Sequence, residues 1–361
     1  MIIPFIDLGF LFFFSLTSLF VLRKVAKKIG LVDKPNERKL HQGAIPLVGG
    51  IAICFSLAYF LFNNPNLIPH SPLYVTSIVL LVIIGALDDK YDLSFKIRIF
   101  IQAGLSIAMM MIGDIELHTI GNVFGFGDVQ LGWTGYIITI LAVVGAINAF
   151  NMVDGIDGLL GALSIVTFGG LGLMLTYDGQ YQLAYLCLVI VVIIFPYILL
   201  NLGALGRKRK VFMGDAGSML IGFTVIWFLL LSSQNGKMPP LRPVTALWLI
   251  AIPLMDMAAI MLRRIRRGDS PFKPDREHLH HIFQRLGLSS SQTVLSISLI
   301  ATGFSACGIL GEVYNISEAF MFYSFMACFT IYAILLSYVW RITSCIRRKL
   351  GKSASEDVCK N

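Results

Sequence analysis

The sequence predicts an all-α, polytopic membrane protein of about eleven transmembrane helices. Three observations predict it. Of the 361 residues 56% are hydrophobic and only 14% charged, with mean hydropathy +0.77, a balance that soluble domains of this length rarely show. The apolar residues fall in long runs, each near the length a helix needs to cross about 30 Å of hydrocarbon. Finally, 27 of the 29 lysines and arginines lie in alternate inter-span loops or the tail, the asymmetry that basic residues show across a bilayer.

The runs cover roughly residues 3–22, 45–62, 71–87, 97–113, 131–150, 159–176, 183–202, 217–232, 243–262, 292–311 and 317–340. No apolar-polar alternation competes with them, and a membrane barrel would need it. The first run is read as a span rather than a signal peptide. Its basic residues, Arg23 and Lys24, follow the apolar stretch instead of preceding it, and no small-residue cleavage site appears. The N-terminus is therefore expected outside, in the periplasm.

Loop 23–44 then carries seven basic residues, loop 88–98 three, loop 203–216 four, loop 263–291 seven and the tail 341–361 six. The remaining two, Lys237 and Arg242, share one opposite-side loop. An odd number of spans puts every basic loop and the C-terminus on the cytoplasmic side. The expected organisation is one transmembrane domain, 1–340, followed by a basic cytoplasmic tail, 341–361. Its chemistry sits in loops 23–44, 88–98, 148–158, 203–216 and 263–291.

The net charge of +8 is read as topology, with added attraction for anionic lipids and phosphorylated substrates, and not as a nucleic-acid surface. None of the six cysteines belongs to a C-x-x-C pair and four fall in apolar runs. Free thiols are expected, with neither a disulfide framework nor a zinc site.

The polar stretches that bear chemistry all fall on the basic side. Asn148, Asn151, Asp154 and Asp157 recur at a spacing of three, which holds side chains near one slowly drifting helical face. Gly155 and Gly158 interrupt the run and let backbone approach a ligand. Polar groups gathered at a membrane edge are costly unless something binds there, and a divalent cation or a phosphorylated substrate suits them.

Asp88 and Asp89 end the third run as adjacent carboxylates. Either a bound cation or a solvated helix end relieves their repulsion. Lys96 and Arg98 follow, suited to phosphate oxygens or serving as topology markers. Phe212-Met-Gly-Asp215 follows the basic run 207–210. Asp215 lies at a helix entrance, in a setting for phosphate plus metal or as a simple cap, and Ser218 is a candidate cap of the next span.

His278, His280 and His281 lie in the longest basic loop, after Arg263, Arg264 and Arg266. Without cysteine or carboxylate at structural-zinc spacing, the histidines are expected to meet phosphate or sugar. His41 lies in the first basic loop with Asp33. Asp256 lies inside the ninth run, and an ionisable group at such depth hints at function by default.

Taken together, Asp88-Asp89, the Asn148–Leu159 motif, Phe212-Met-Gly-Asp215 and His278-Leu-His-His281 resemble the polyprenyl-phosphate N-acetylhexosamine-1-phosphate transferases. The resemblance runs from Arg23 to about Leu288. Val32-Asp-Lys-Pro-Asn36, Ile45-Pro-Leu-Val-Gly-Gly50, Ile252-Pro-Leu-Met-Asp256 and the His-x-His-His form point within the family to enzymes of UDP-GlcNAc. Sister enzymes of the muramyl-pentapeptide nucleotide usually carry a different histidine motif.

The resemblance implies transfer of GlcNAc-1-phosphate from UDP-GlcNAc to undecaprenyl phosphate, with release of UMP. The setting would be the cytoplasmic face of a bacterial inner membrane, at the first membrane step of a lipid-linked surface glycan of the O-antigen or enterobacterial common antigen type. The same chemistry on another UDP-N-acetylhexosamine or on the muramyl-pentapeptide nucleotide is the alternative, and the arrangement allows a homodimer.

It further implies Mg²⁺, with Mn²⁺ as a substitute, on Asp215 and Asn151. Asp88 and Asp89 would activate the nucleophile or touch the metal, and Asp154 and Asp157 would shape the nucleotide and metal pocket. Asn148, Lys96, Arg98, His41, Asp256, Arg263, Arg264, Arg266 and the three histidines would contact substrate. Direct attack by the lipid phosphate is favoured over an aspartyl intermediate. A cation-coupled transporter is the rival from another class, but it would place its acids near the midplane and show repeated halves.

Overall fold

The computed structural model describes residues 5–34, 43–234, 239–271 and 278–338. Thirteen helices make up the described chain: α1 Phe5–Ile29, α2 Gly49–Asn63, α3 Ser71–Tyr91, α4 Phe95–Gly113, α5 Thr134–Val153, α6 Leu159–Tyr177, α7 Tyr181–Asn201, α8 Gly214–Gln234, α9 Pro243–Leu249, α10 Ala251–Arg266, α11 Leu279–Arg285, α12 Ser290–Val313 and α13 Glu318–Ser337. Among the described residues nine of these are long and apolar enough to cross a membrane. The chain is an all-α, multi-pass membrane protein.

The eleven expected spans each meet helix, with two departures. The second, α2, has 15 residues. At 1.5 Å per residue it is shorter than about 30 Å of hydrocarbon. The ninth is broken between α9 and α10 by a bend of 84°. Pro253 explains the break. Proline lacks an N–H and its ring collides with the carbonyl four residues earlier, here that of Leu249. The Thr167 hydroxyl of α6 donates to that carbonyl (3.3 Å), so the interrupted ladder keeps a partner.

Helices also overrun the expected loops. α5 continues through Asn148 to Val153 and α10 through Arg263 to Arg266, while α3 and α4 leave only residues 92–94 between them. Backbone hydrogen bonding does not stop where hydropathy falls, so an apolar window underestimates helix length. Likewise α8 begins at Gly214, and Ser218, the expected cap, lies inside it. Where no strand was expected, β1 (Val32–Asp33) pairs antiparallel with β2 (Ile45–Pro46).

Helix α8 is the central column, buried from Ala216 to Ser233 on every face. α2, α3 and α5 pack round it. The approach of α3 depends on Gly85, where an added Cβ would lie 2.3 Å from the Ala216 Cα. That contact sets Asp88 and Asp89 beside the start of α8. Gly85→Val is therefore expected to cost more than about 3 kcal/mol by overpacking. Its yield of folded, detergent-extracted protein should fall sharply on size-exclusion chromatography.

Candidate active site

Four elements meet at the N-terminal end of α8. Gly214 opens the helix with φ +74°, and a Cβ there would strike the Asp89 carboxylate at 2.4 Å. The absence of a side chain lets Asp89 accept the backbone N–H of Asp215 (2.9 Å) and of Ala216 (3.4 Å). A carboxylate from α3 thus caps α8, satisfying donors that a helix start leaves open. Both oxygens of Asp89 are used in holding Asp215.

Asp88 is buried, and its two oxygens are also engaged. One accepts the Leu93 N–H (2.8 Å) and the other the Arg98 guanidinium (2.6 Å). Arg98 reaches on to Asp215 (3.1 Å), so one cation joins two motifs that lie 127 residues apart. Lys96, two residues earlier in α4, is exposed. Positions two apart on a helix do not share a face, and Lys96 makes no ion pair or hydrogen bond among the described residues.

From α5, Asn151 donates to Asp215 (2.7 Å) and to the Ser218 hydroxyl (2.8 Å). With its nitrogen used twice, its amide oxygen is left over as a hard acceptor. Asn148 turns away, donating to Gln102 of α4 (3.1 Å) and to the Val144 carbonyl (2.7 Å). The spacing of three therefore does not give Asn148 and Asn151 common partners. Asp154 is the non-helical C-cap of α5, and Asp157 lies beyond it in the turn to α6.

The Asp154 carboxylate has no hydrogen-bond partner among the described residues. Burial pushes it up to about 8, helped by the charges of Asp215, Asp89 and Asp157. This corner is short of positive charge.

A pH prediction follows. The ordinary carboxyl value is 3.8 and the folded value is higher, so the folded protein binds more protons between the two. Stability from this group is present below about 4 and lost as pH rises through about 8. In metal-free protein the melting temperature should fall over that window, and Asp154→Asn should flatten the slope. Equal slopes would remove Asp154 as the source.

Asp157 forms an ion pair with Lys210, which follows the 3₁₀ turn Arg207–Arg209. Phe212 is anchored by its N–H to the Pro46 carbonyl (2.9 Å), and its own carbonyl accepts from Gly49 (2.9 Å). The strand β2 and the start of α2 thereby touch the Phe-Met-Gly-Asp motif. His41 of the first basic loop lies outside the described residues.

The histidine motif docks on the same turn. His280 is buried, and a Cβ on Gly155 would lie 2.2 Å from its Nε2. Burial and the neighbouring His281 and His278 push His280 down to about 2, so it is a neutral wedge against Gly155. The His278 and His280 rings lie nearly parallel, 6° apart, and His281 packs against His280 at 4.1 Å.

Asp256, expected among the substrate contacts, lies on α10 beside the histidine motif. It is 1% exposed and receives His278 Nδ1 (2.9 Å), the Leu279 N–H (3.1 Å) and the Tyr332 hydroxyl. These three bonds orient the histidine motif. Arg263 and Arg264, expected on phosphate, are buried too and donate to the carbonyls of Leu336 (3.3 Å) and Pro271 (2.5 Å). Arg266 is exposed.

The sequence marks Lys210 only as part of the basic run 207–210 and does not single out Asn201 or Tyr332. Asn201 left a signal, a lone amide ending an apolar run. Lys210 was hidden among three basic neighbours, and a tyrosine in a span carries no mark of its partner.

Among the described residues no three His, Cys, Asp or Glu side chains already stand together as a metal cluster. The donor set still fits a hard cation. Asp154 is unpaired, the Asn151 amide oxygen is spare, and Asp215 is one-third exposed. Mg²⁺ keeps several waters and needs only one or two carboxylates beside substrate phosphates.

The profile described as Glycosyl transferase family 4 matches residues 71–233. An undecaprenyl-phosphate alpha-N-acetylglucosaminyl 1-phosphate transferase of Yersinia pestis is 53% identical over 344 residues, 95% of this chain and 94% of its own. Proteins of the same name from Escherichia coli (strain K12) and Haemophilus influenzae are 52% and 51% identical, covering 95% and 92% of this chain and 93% of each relative. With relatives this similar along nearly its whole length, the chain belongs to glycosyl transferase family 4.

Proposed function

We propose that this protein transfers GlcNAc-1-phosphate from UDP-GlcNAc to undecaprenyl phosphate, forming undecaprenyl-pyrophosphoryl-GlcNAc and UMP. One observation carries the proposal. Asp88, Asp89, Asn151 and Asp215, from three separate motifs, are joined through Arg98 and the start of α8, in a chain whose relatives bear that activity in their names. The named relatives favour GlcNAc over the muramyl-pentapeptide nucleotide.

An oxygen of the lipid phosphate attacks the β-phosphorus of the nucleotide. The bond from that phosphorus to the bridging oxygen breaks, and UMP leaves with the electron pair. Phosphoryl transfer asks chiefly for positioning and charge neutralisation. Asp215, Asp154 and the Asn151 amide oxygen would hold Mg²⁺, or Mn²⁺ in its place. When bound, the ion would neutralise charge developing on the leaving side.

Arg98 holds Asp88 and Asp215 in register, and Asp89 fixes the backbone of Asp215. Asp88 and Asp89 have both oxygens committed, which supports direct attack over an aspartyl intermediate. A phosphate monoester with second pKa about 6 arrives mostly ionised, so little proton removal is required. Lys96 and Arg266, exposed and cationic, are suited to the approaching phosphates, and His281 to the nucleotide-sugar. The polyprenyl chain stays in the bilayer and the nucleotide is soluble, which supports a bacterial inner membrane with the site on its cytoplasmic face. The product would open a lipid-linked surface glycan.

Purified protein given UDP-[³H]GlcNAc, undecaprenyl phosphate and Mg²⁺ should move label into butanol-extractable lipid with one UMP per label. EDTA should stop transfer and Mg²⁺ restore it. Label that stays in water, or faster transfer from UDP-GalNAc or the muramyl-pentapeptide nucleotide, would refute the assignment.

A further inference from the structure

The turn 154–158 carries two carboxylates, yet little inside it keeps its shape. Its local backbone bonds are Asp154 to the Asn151 carbonyl (3.3 Å), Gly155 to that of Val153 (2.8 Å) and Leu159 to that of Ile156 (3.2 Å). Asp154 makes no side-chain hydrogen bond among the described residues, so its position depends on what holds the turn from outside.

Segment 201–211 supplies that hold at two points. Asn201 is 2% exposed. Its oxygen accepts the Gly158 N–H, and its nitrogen donates to the Val211 carbonyl (2.9 Å). Lys210 pairs with Asp157, and its Nζ stands 5.2 Å from the centre of the Phe212 ring. Asp157, Asp89 and Asp215 all act on Asp154 as like charges. Lys210 is the cation bonded to the turn itself.

We propose that Lys210 is a positioning residue for the reaction, acting through Asp157 to set the turn that presents Asp154. The inference rests on the transferase reading above. It predicts a particular kinetic pattern. A residue that orients a group for the transition state changes kcat, whereas one that grips substrate equally throughout changes KM. A residue acting only through Asp157 has nothing further to lose once Asp157 cannot pair.

The test uses the full-length protein in phosphatidylglycerol nanodiscs, assayed for label transfer from UDP-GlcNAc. Lys210→Met should lower kcat about 30-fold with KM within about threefold. Lys210→Arg should restore kcat to within about threefold, because it keeps the charge. In an Asp157→Asn background, Lys210→Met should add less than about twofold.

Undiminished kcat in Lys210→Met, a raised KM at unchanged kcat, or losses that multiply in the double variant would overturn the proposal. The last two would mean that Lys210 meets the nucleotide itself. Melting temperatures are read in parallel. If Lys210→Met does not fold, Lys210→Gln takes its place in the same cycle. A wild-type protein that moves no label would instead refute the transferase reading, separately from the role of Lys210.

Discussion

Asp215→Asn should lower kcat/KM for lipid-linked GlcNAc formation by at least about 10³-fold, equivalent to about 4 kcal/mol of lost transition-state stabilisation. Asp215 is the node of the site: it takes Arg98 at 3.1 Å and Asn151 at 2.7 Å, and its own N–H rests on Asp89. An amide is isosteric but brings a nitrogen toward donors that already face it. It also withdraws the negative charge proposed to hold the cation.

The fold should survive, because Asp89 still caps α8 through backbone groups that the substitution does not touch. The expected result is therefore a protein that melts near the wild-type temperature and makes almost no product. Retention of more than a tenth of the activity would remove Asp215 from the metal assignment.

Arg98→Met should harm both stability and activity. The guanidinium lies between Asp88, whose side chain is 4% exposed, and Asp215, which is 35% exposed. Removing one partner from a buried pair costs about 3–5 kcal/mol, because the other charge is left without compensation. The partial exposure of Asp215 screens part of that cost, so about 2–3 kcal/mol is expected here.

Activity should fall about 100-fold, since Asp88 and Asp215 would repel each other out of register. The double variant Arg98→Met/Asp88→Asn separates the two effects. It should regain most of the melting temperature, because the orphaned charge is gone, and none of the activity. If the double variant melts no higher than Arg98→Met, the loss does not come from the uncompensated charge of Asp88.

Much of this arrangement was legible from local signals. The apolar runs locate the helices, and the spacing of Asn148, Asn151, Asp154 and Asp157 marks the stretch from which Asn151 reaches Asp215. The motifs Asp88-Asp89 and Phe212–Asp215 were both expected at the site. What each residue does was less legible, because the deciding partners are remote. Asp89 caps a helix that starts 125 residues later, and Asp256 meets Tyr332, 76 residues on.

Depth in a span marks Asp256 as unusual, yet only packing shows its bonds to His278 and the Leu279 N–H. The bend at Ile250 had a readable cause in Pro253, whose offending carbonyl is four residues back. Arg263 and Arg264 counted as interfacial charges by sequence, but α10 carries them into the protein.

Helix α8 is buried on every face from Ala216 to Ser233. Were each position in the chain substituted in turn, tolerance along α13, mostly open to its surroundings, should rise and fall with a period of 3.6 residues. Along α8 the pattern should be flat and uniformly intolerant, since no side of it can absorb a change of volume. A helix that looks like any other apolar span by composition would then stand out as the least evolvable stretch of the chain.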